Sequence, residues 1–561
     1  MHLDNEKADT GYGIANLFAK LFASVYNNNS LDNFNESFSD DSLSSIQVSI
    51  AEVRESLESI KVDASAGPDG LHPFFVKSCS ETILFPLYFL FNESLRTGSF
   101  PSSWRQSHVV PFYKNSGDKA DVRNYRPICV QNVLAKLLDS LIYKKVSSYL
   151  FPYIIQEQHG FVPKRSTVSN LAVLVDYITD NFAQGHETHV IYTDLCKAFD
   201  TVNVQRLLSK LKAYGLTGSI LDWFRSALTD RRQRVKINNF LSNEFLAPSG
   251  VGQGSHMSAL LFIVYINDVG SVIRFCKFLL FADDFKLYRS VLSLQDLHFI
   301  QLDIISVTLW FLINGLSFNV GKCGFMVFCR GAPLFETYSY HINNEAISRL
   351  DNVKDLGVIF DPKLLFNDHV DFIVGKAFRK FYFFRRAAAS FQDVQSLLTL
   401  FKFLVLPILT YASPIWFPHT SHNICKLEKV RHSYLKFASY RTNSPLGIHD
   451  HFYGDIARHL NLCSLVSMWR YYDLMFLFKL VNNFIDSPTL LSYIHFHVPP
   501  RSLRNLNRLF VIPSHIVSWK HRSVIPRISD FANSCMEWIQ FYGLSISNFK
   551  YLTKERILVN Y

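Results

Sequence analysis

The feature that most constrains this chain is a pair of acid-bearing segments lying far apart in sequence. In KFLLFADDFKLY, residues 277–288, apolar β-formers flank Asp283-Asp284 on both sides, the pattern of a hairpin whose tip carries two carboxylates. In HVIYTD, residues 189–194, a strand of buried type ends on Asp194. The three acids can share hard divalent cations only if the two strands lie side by side in one sheet. Taken singly, each motif has an ordinary reading, because Asp-Asp pairs occupy exposed turns and an Asp after a strand caps a helix.

The rest of the chain reads as a succession of helices and strands around these acids. Val53, Leu57 and Ile60 follow helical spacing until Gly67, Pro68 and Gly70 break it, and residues 73–97 read as one helix ending at Gly98. SHVVPFY reads as a strand, KNSGDKADVRNYRP as a polar, basic loop, and residues 133–150 as a helix. After Asp194, NVQRLLSKLKAYG is a helix and RRQRVKIN a half-exposed strand, and GVGQGS opens the apolar helix ALLFIVYI with glycines that let backbone approach a ligand. Beyond about residue 370 the pattern turns to long apolar and basic helices, without repeats or low-complexity blocks.

Composition narrows the class. Hydrophobic residues make up 48% and charged residues 19% of 561 residues, which gives enough apolar surface to fold most of the chain as several subdomains. The net charge of +10, with a basic excess in residues 495–561, suits a polyanionic partner. Nine cysteines, none in a CxxC pair, argue against both a disulfide framework and a zinc site. The start, MHLDNEKADT, lacks signal-peptide character, so an intracellular setting is expected, not secretion. The apolar run Phe403 to Phe417 contains Pro407 and Pro414 and is shorter than a membrane span, so it is expected to form a buried core helix.

Nucleotidyl transfer to a growing 3′ end needs two cations about 3.5–4 Å apart, bound by carboxylates and completed by substrate phosphates. The ordered set of motifs favours this chemistry over the ordinary readings. SAGPDGLHPFFVK, NYRPI, QHGFVPKRST, YTDLCKAFDTVN, GVGQGSHMSALLFIVYIND, FADD, LSFNVGKC and VKDLGVIFD follow one another in the order and spacing of one family. The chain thereby resembles the reverse transcriptases of non-LTR, LINE-like retrotransposons, the jockey-like group most, over roughly residues 50–450.

That resemblance implies an α/β right-hand polymerase with fingers, an antiparallel-sheet palm and a helical thumb. It implies an RNA-directed DNA polymerase that extends a DNA primer on an RNA template from deoxynucleoside triphosphates. Asp194, Asp283 and Asp284 would ligate two Mg2+ ions. Phe199 would be the aromatic gate that excludes a 2′-hydroxyl, and Gln253 would touch the incoming nucleotide. Lys114 and Arg126 would grip its triphosphate, and Lys322 would sit near the leaving pyrophosphate. VKDLGVIFD resembles the segment that grips the primer end.

The expected divisions are an N-terminal helical extension over 1–61, partly disordered around 27–45, fingers and palm over 62–366, a thumb over 367–450, and a basic, mostly helical region over 451–561. The implied setting is a cytoplasmic ribonucleoprotein or the nucleus, with no membrane contact. The sequence departs from the family pattern at Gly252, where proline is usual, at Ser258-Ala259 in place of Gly-Pro, and at Val162 and Lys164, where arginine and glycine are commoner. No endonuclease segment precedes the polymerase motifs, so the chain is expected to be a truncated copy or a fragment. A decayed protein that only binds RNA or DNA is the alternative. An RNA-making polymerase or a maturase-like factor fits less well, with Phe199 as the discriminator.

Overall fold

The structure, a computed structural model, describes residues 1–26, 38–388, 391, 393–441, 453–497, 508–519 and 521–558. The strands that position the site are, in chain order, β1 (Gln106–Tyr113), β2 (Tyr125–Val130), β3 (Glu187–Thr193), β4 (Arg232–Ile237), β5 (Lys277–Phe281), β6 (Asp284–Val291), β7 (Gly324–Phe328), β8 (Val353–Asp355) and β9 (Val358–Phe360). The helices packed about them include α1 (Gly11–Ala23), α2 (Thr167–Gln184), α3 (Val204–Ala213), α4 (His256–Tyr265), α5 (Leu294–Ile313) and α6 (Asn367–Ala387).

The palm is a sheet in the order Ser348–Arg349, β7, β3, β6, β5, with β3 antiparallel to both β6 and β7. Both faces are covered, and the period-two alternation of each strand sorts its side chains between two cores. Ile191, Phe285, Leu287 and Phe325 enter a core shared with α3, α4 and α5. Their neighbours Val190, Tyr288, Leu279 and Met326 enter a second core with α2 and α6. The result is an α+β palm.

The fingers sheet runs β2, β1, β4, with β1 antiparallel to β2 and parallel to β4. One face is closed by α1, whose Leu17, Phe18 and Phe22 pack with Val109, Val122 and Val235. Most of KNSGDKADVRNYRP is indeed loop, but its last residues, Tyr125 to Pro127, already belong to β2. Pro127 is accommodated there because β2 is an edge strand, where the missing N–H breaks no ladder.

Two other expectations need correction. Residues 73–97 form two helices, Pro73–Ser78 and Ser80–Thr97, separated at Cys79. The run from Phe403 to Phe417 is not one core helix. Val394–Leu404, Leu406–Thr410 and Ser413–Trp416 succeed one another, and the last two begin with proline in their first turn, where its absent N–H is harmless. Of the stretch 27–45 expected to be disordered, residues 27–37 lie outside the described residues, and Phe38 N donates to Ala213 O.

The described part of the C-terminal region shares the second core with α6 and α2 rather than forming its own. Trp469 Nε1 donates to Leu409 O, and Asp176 of α2 accepts from Val524 N and Ile525 N. Arg501 and Arg504 of the basic excess lie outside the described residues. One helix among the described residues, α5, is long and apolar enough to cross a membrane by length and composition. It buries Leu297, Ile300, Ile304, Val307 and Phe311 against the palm.

Candidate active site

The register of β3 and β6 decides where the acids meet. Thr193 pairs with Phe285, so Asp194 and Asp284, one step further along, lie opposite each other at the same edge of the sheet, and Asp283 forms the turn beside them. The electrostatics carry the mark of this crowding. Burial and the Asp194 charge hold the Asp283 carboxyl above its ordinary range, against the pull of Arg126. Asp284, exposed at the start of β6, is pushed up to about 6 by partial desolvation of its carboxyl, then by Asp283, Asp355 and Asp194, while Lys286 opposes the shift.

The turn that presents Asp283 is held from outside. Ala282 adopts a left-handed backbone, φ 56°, and its N–H donates to the Gln158 amide oxygen at 3.0 Å. The segment around Gln158 runs against β5, with His159 N donating to Leu280 O and Leu280 N to Glu157 O, both at 2.9 Å. Gly160 is required by this close approach, because a Cβ there would stand 2.3 Å from Ala282 N.

Opposite the acids stands a group of cations. Lys114 and Arg126 lie near the mouth of the β1–β2 hairpin and share one face of it, since Arg126 pairs with Phe112 and Lys114 N bonds Asn124 O. Burial lowers the Lys114 pKa, and so do Lys322, Arg126 and Lys197, which places four cations from three segments around one space. Lys322 Nζ donates to Asp194 Oδ2 at 3.1 Å, and its loop is tied to the same residue through Asn319 N and Asp194 O at 2.8 Å.

The two nucleotide-facing residues expected from the sequence occupy the adjoining wall. Phe199 is half-buried, stacked on Phe262 with centroids 4.4 Å apart, and meets Phe161 edge-on at 6.5 Å. Gln253 donates its amide to both carboxylate oxygens of Asp200, at 3.2 and 3.3 Å. Burial raises Asp200 to about 6. Ser249 Oγ donates to Asp200 O, and Gly250, φ 81°, lies so close that a Cβ would clash with the Asp200 backbone. The loop lacking the usual proline at Gly252 is thus anchored through Asp200, and Ser255 caps α4 at Ser258 N.

The structure therefore brings Asp194, Asp283, Asp284, Lys114, Arg126 and Lys322 around one cleft and holds Phe199 and Gln253 beside one another through the 199–253 segments. Sequence reasoning missed Gln158, Lys197, Asp200 and Lys286. The available signal for Lys286 was a lysine at an inward position of an apolar strand, which demands a buried partner. Lys197 gave no signal, since its approach depends on a left-handed backbone, φ 46°.

The donor set fits an open cation site. Its oxygens are hard carboxylates, and Asp283 and Asp284, both raised first by desolvation and then by neighbouring carboxylates, would gain from a bound cation. Among the described residues, no group of three or more His, Cys, Asp or Glu side chains is arranged to hold a metal ion by itself.

Comparison with known proteins agrees with this geometry. The reverse transcriptase (RNA-dependent DNA polymerase) family matches residues 114–360, the span containing the acids and cations described above. The chain is 24% identical over 387 residues to the Drosophila melanogaster protein named "Probable RNA-directed DNA polymerase from transposon BS", covering 66% of this chain and 42% of that protein. It is 25% identical over 333 residues to the RNA-directed DNA polymerase from mobile element jockey of Drosophila funebris, covering 58% and 36%. It is also 25% identical over 340 residues to the Pol polyprotein from type-2 retrotransposable element R2DM of Drosophila melanogaster, covering 57% and 31%. The chain thus spans less than half the length of these relatives. Over residues 114–360 the chain matches the reverse transcriptase family, and its similarity to these relatives supports a jockey-like reverse transcriptase of the non-LTR type.

Proposed function

We propose that this chain extends a DNA primer on an RNA template, using deoxynucleoside triphosphates. The observation that carries the reading is the meeting of Asp194, Asp283 and Asp284 at the end of two adjacent strands, opposite Lys114, Arg126, Lys197 and Lys322. Asp194, Asp283 and Asp284 would hold two Mg2+ ions, which would supply activation of the attacking hydroxyl and charge neutralisation of the leaving pyrophosphate. Lys114 and Arg126 bind and orient the triphosphate from the fingers side. Lys322, already beside Asp194, is placed to carry a proton toward the departing pyrophosphate. Phe199, braced by Phe262, presents a ring where a ribose 2′-hydroxyl would otherwise fit.

The duplex would lie against the thumb, where α6 interleaves Lys376, Arg379, Lys380 and Arg385 with aromatic residues. The described cysteines are all free, which supports residence in a reducing compartment, as a cytoplasmic ribonucleoprotein or in the nucleus.

Primer extension on an RNA template with magnesium, comparing the chain with an Asp283→Ala, Asp284→Ala variant, tests the reading. Incorporation should fall by at least about 10³-fold in the variant. Equal incorporation by both proteins would remove the polymerase reading. A second reading, a binding protein without turnover, draws on the left-handed Lys164 and the altered loop at Gly252. It expects template binding by both proteins and extension by neither.

A further inference from the structure

Two residues beyond Asp284, on the same face of β6, Lys286 reaches the β8–β9 hairpin and forms an ion pair with Asp355. The side chains are 2% and 5% exposed, so the pair is sealed from water. We propose that Lys286 and Asp355 are positioning residues that fix the Asp355–Leu356–Gly357 turn, and with it the end of the bound primer, at a set distance from Asp283 and Asp284. The inference rests on the polymerase reading and deepens it.

A buried ion pair is a poor source of stability, because desolvating two charges cancels most of their attraction, and an apolar pair of similar volume serves the core as well or better. What the pair does supply is a directional link between two hairpins that share no backbone ladder. One hairpin carries the acids, and the other lies in the segment expected to hold the primer. The turn is itself rigid, with Leu356 at φ 43° and Gly357 at φ 91°, the left-handed pair of a tight two-residue hairpin.

A second anchor grips the same turn from the thumb side. Tyr411 Oη donates to Leu356 O at 2.8 Å and bonds Thr167 Oγ1, in the first turn of α2, at 3.1 Å. Its ring lies against Gly357, where a Cβ would approach it to 3.1 Å. The turn is therefore held between the catalytic hairpin through Asp355, and the thumb and α2 through Leu356. Neither anchor touches the acids, yet both set where the turn stands relative to them. A displacement near 1 Å at a reacting end lowers turnover by about 10²-fold.

The test compares wild type, Lys286→Met with Asp355→Leu, Lys286→Arg, and Tyr411→Phe in steady-state extension of an RNA-templated primer, with thermal melting of each protein. The double variant should fold with a melting temperature near or above wild type, keep its KM for deoxynucleotide within about twofold, and lose kcat by about 10- to 100-fold. Lys286→Arg, which keeps the pair, should retain most of kcat, and Tyr411→Phe should lose several-fold. Wild-type kcat in the double variant, or a loss that follows melting temperature alone in all three variants, overturns the proposal. Absence of extension by wild type itself would overturn the polymerase reading and this inference with it, an outcome distinct from extension by all four proteins.

Discussion

The side-chain amide oxygen of Gln158 accepts the Gly160 N–H at 2.9 Å and the Ala282 N–H at 3.0 Å, joining two loops 124 residues apart in sequence at the base of the Asp283 turn. Gln158 is almost fully buried, so no water can replace it as acceptor. Gln158→Ala leaves two buried N–H groups unsatisfied, at about 1–3 kcal/mol each. Thermal melting should fall by several degrees, and extension should drop further than the melting shift explains, because Asp283 loses its support. An unchanged extension rate would mean that the turn holds its own geometry.

The raised pKa of Asp284, about 6, and the upward shift of Asp283 give a pH signature. In the unfolded chain these carboxyls titrate near about 3.9. The folded, cation-free protein therefore binds their protons more tightly, and the stability they contribute is full below about pH 4 and lost as pH rises through about 6. Added magnesium should offset the loss, raising the melting temperature at about pH 7.5 and much less at about pH 5, where protons compete for the same oxygens. Differential scanning fluorimetry checks this, with the Asp283→Asn, Asp284→Asn variant expected to show little magnesium response at either pH.

Lys164 stands where glycine is commoner in the family, and its backbone is left-handed, φ 63°. A side chain in that region costs about 1–2 kcal/mol, partly offset because glycine gains freedom in the unfolded chain. Lys164→Gly should therefore stabilise the protein by several tenths to about 1 kcal/mol in denaturant melts. A loss of stability would show instead that the Lys164 side chain makes compensating contacts.

Phe199 is braced by Phe262 at 4.4 Å and by Phe161 at 6.5 Å, which fixes the ring against the wall of the cleft. Phe199→Ala should raise the ratio of ribonucleotide to deoxynucleotide incorporation by at least about tenfold, by opening space for a 2′-hydroxyl. Competitive incorporation assays measure it directly, and a ratio unchanged from wild type would place the sugar elsewhere.

Much of the site was legible in the chain before folding. The apolar runs in KFLLFADDFKLY and HVIYTD specified buried strands ending in acids, since β-propensity and apolar patterning act locally. The glycines of GVGQGS and the polar loop beyond Tyr113 marked a close approach and a turn for the same local reason. Other features were invisible. A lysine in an apolar strand implies a buried partner but not that Asp355 is that partner, and helix patterning shows neither that Asp176 caps the Val524 turn nor that Trp469 and Phe549 join the core of the thumb.

The sequence by itself determined the three acids, the hairpin that carries two of them and the order of elements around them, because propensity and periodicity act over a few neighbouring residues. Only the tertiary structure decided that Thr193 pairs with Phe285, that Lys114, Arg126, Lys197 and Lys322 surround one space, and that Gln158 supports the Ala282 turn. Register between distant strands is set by the sum of packing on both sheet faces, and no local stretch of sequence contains that sum.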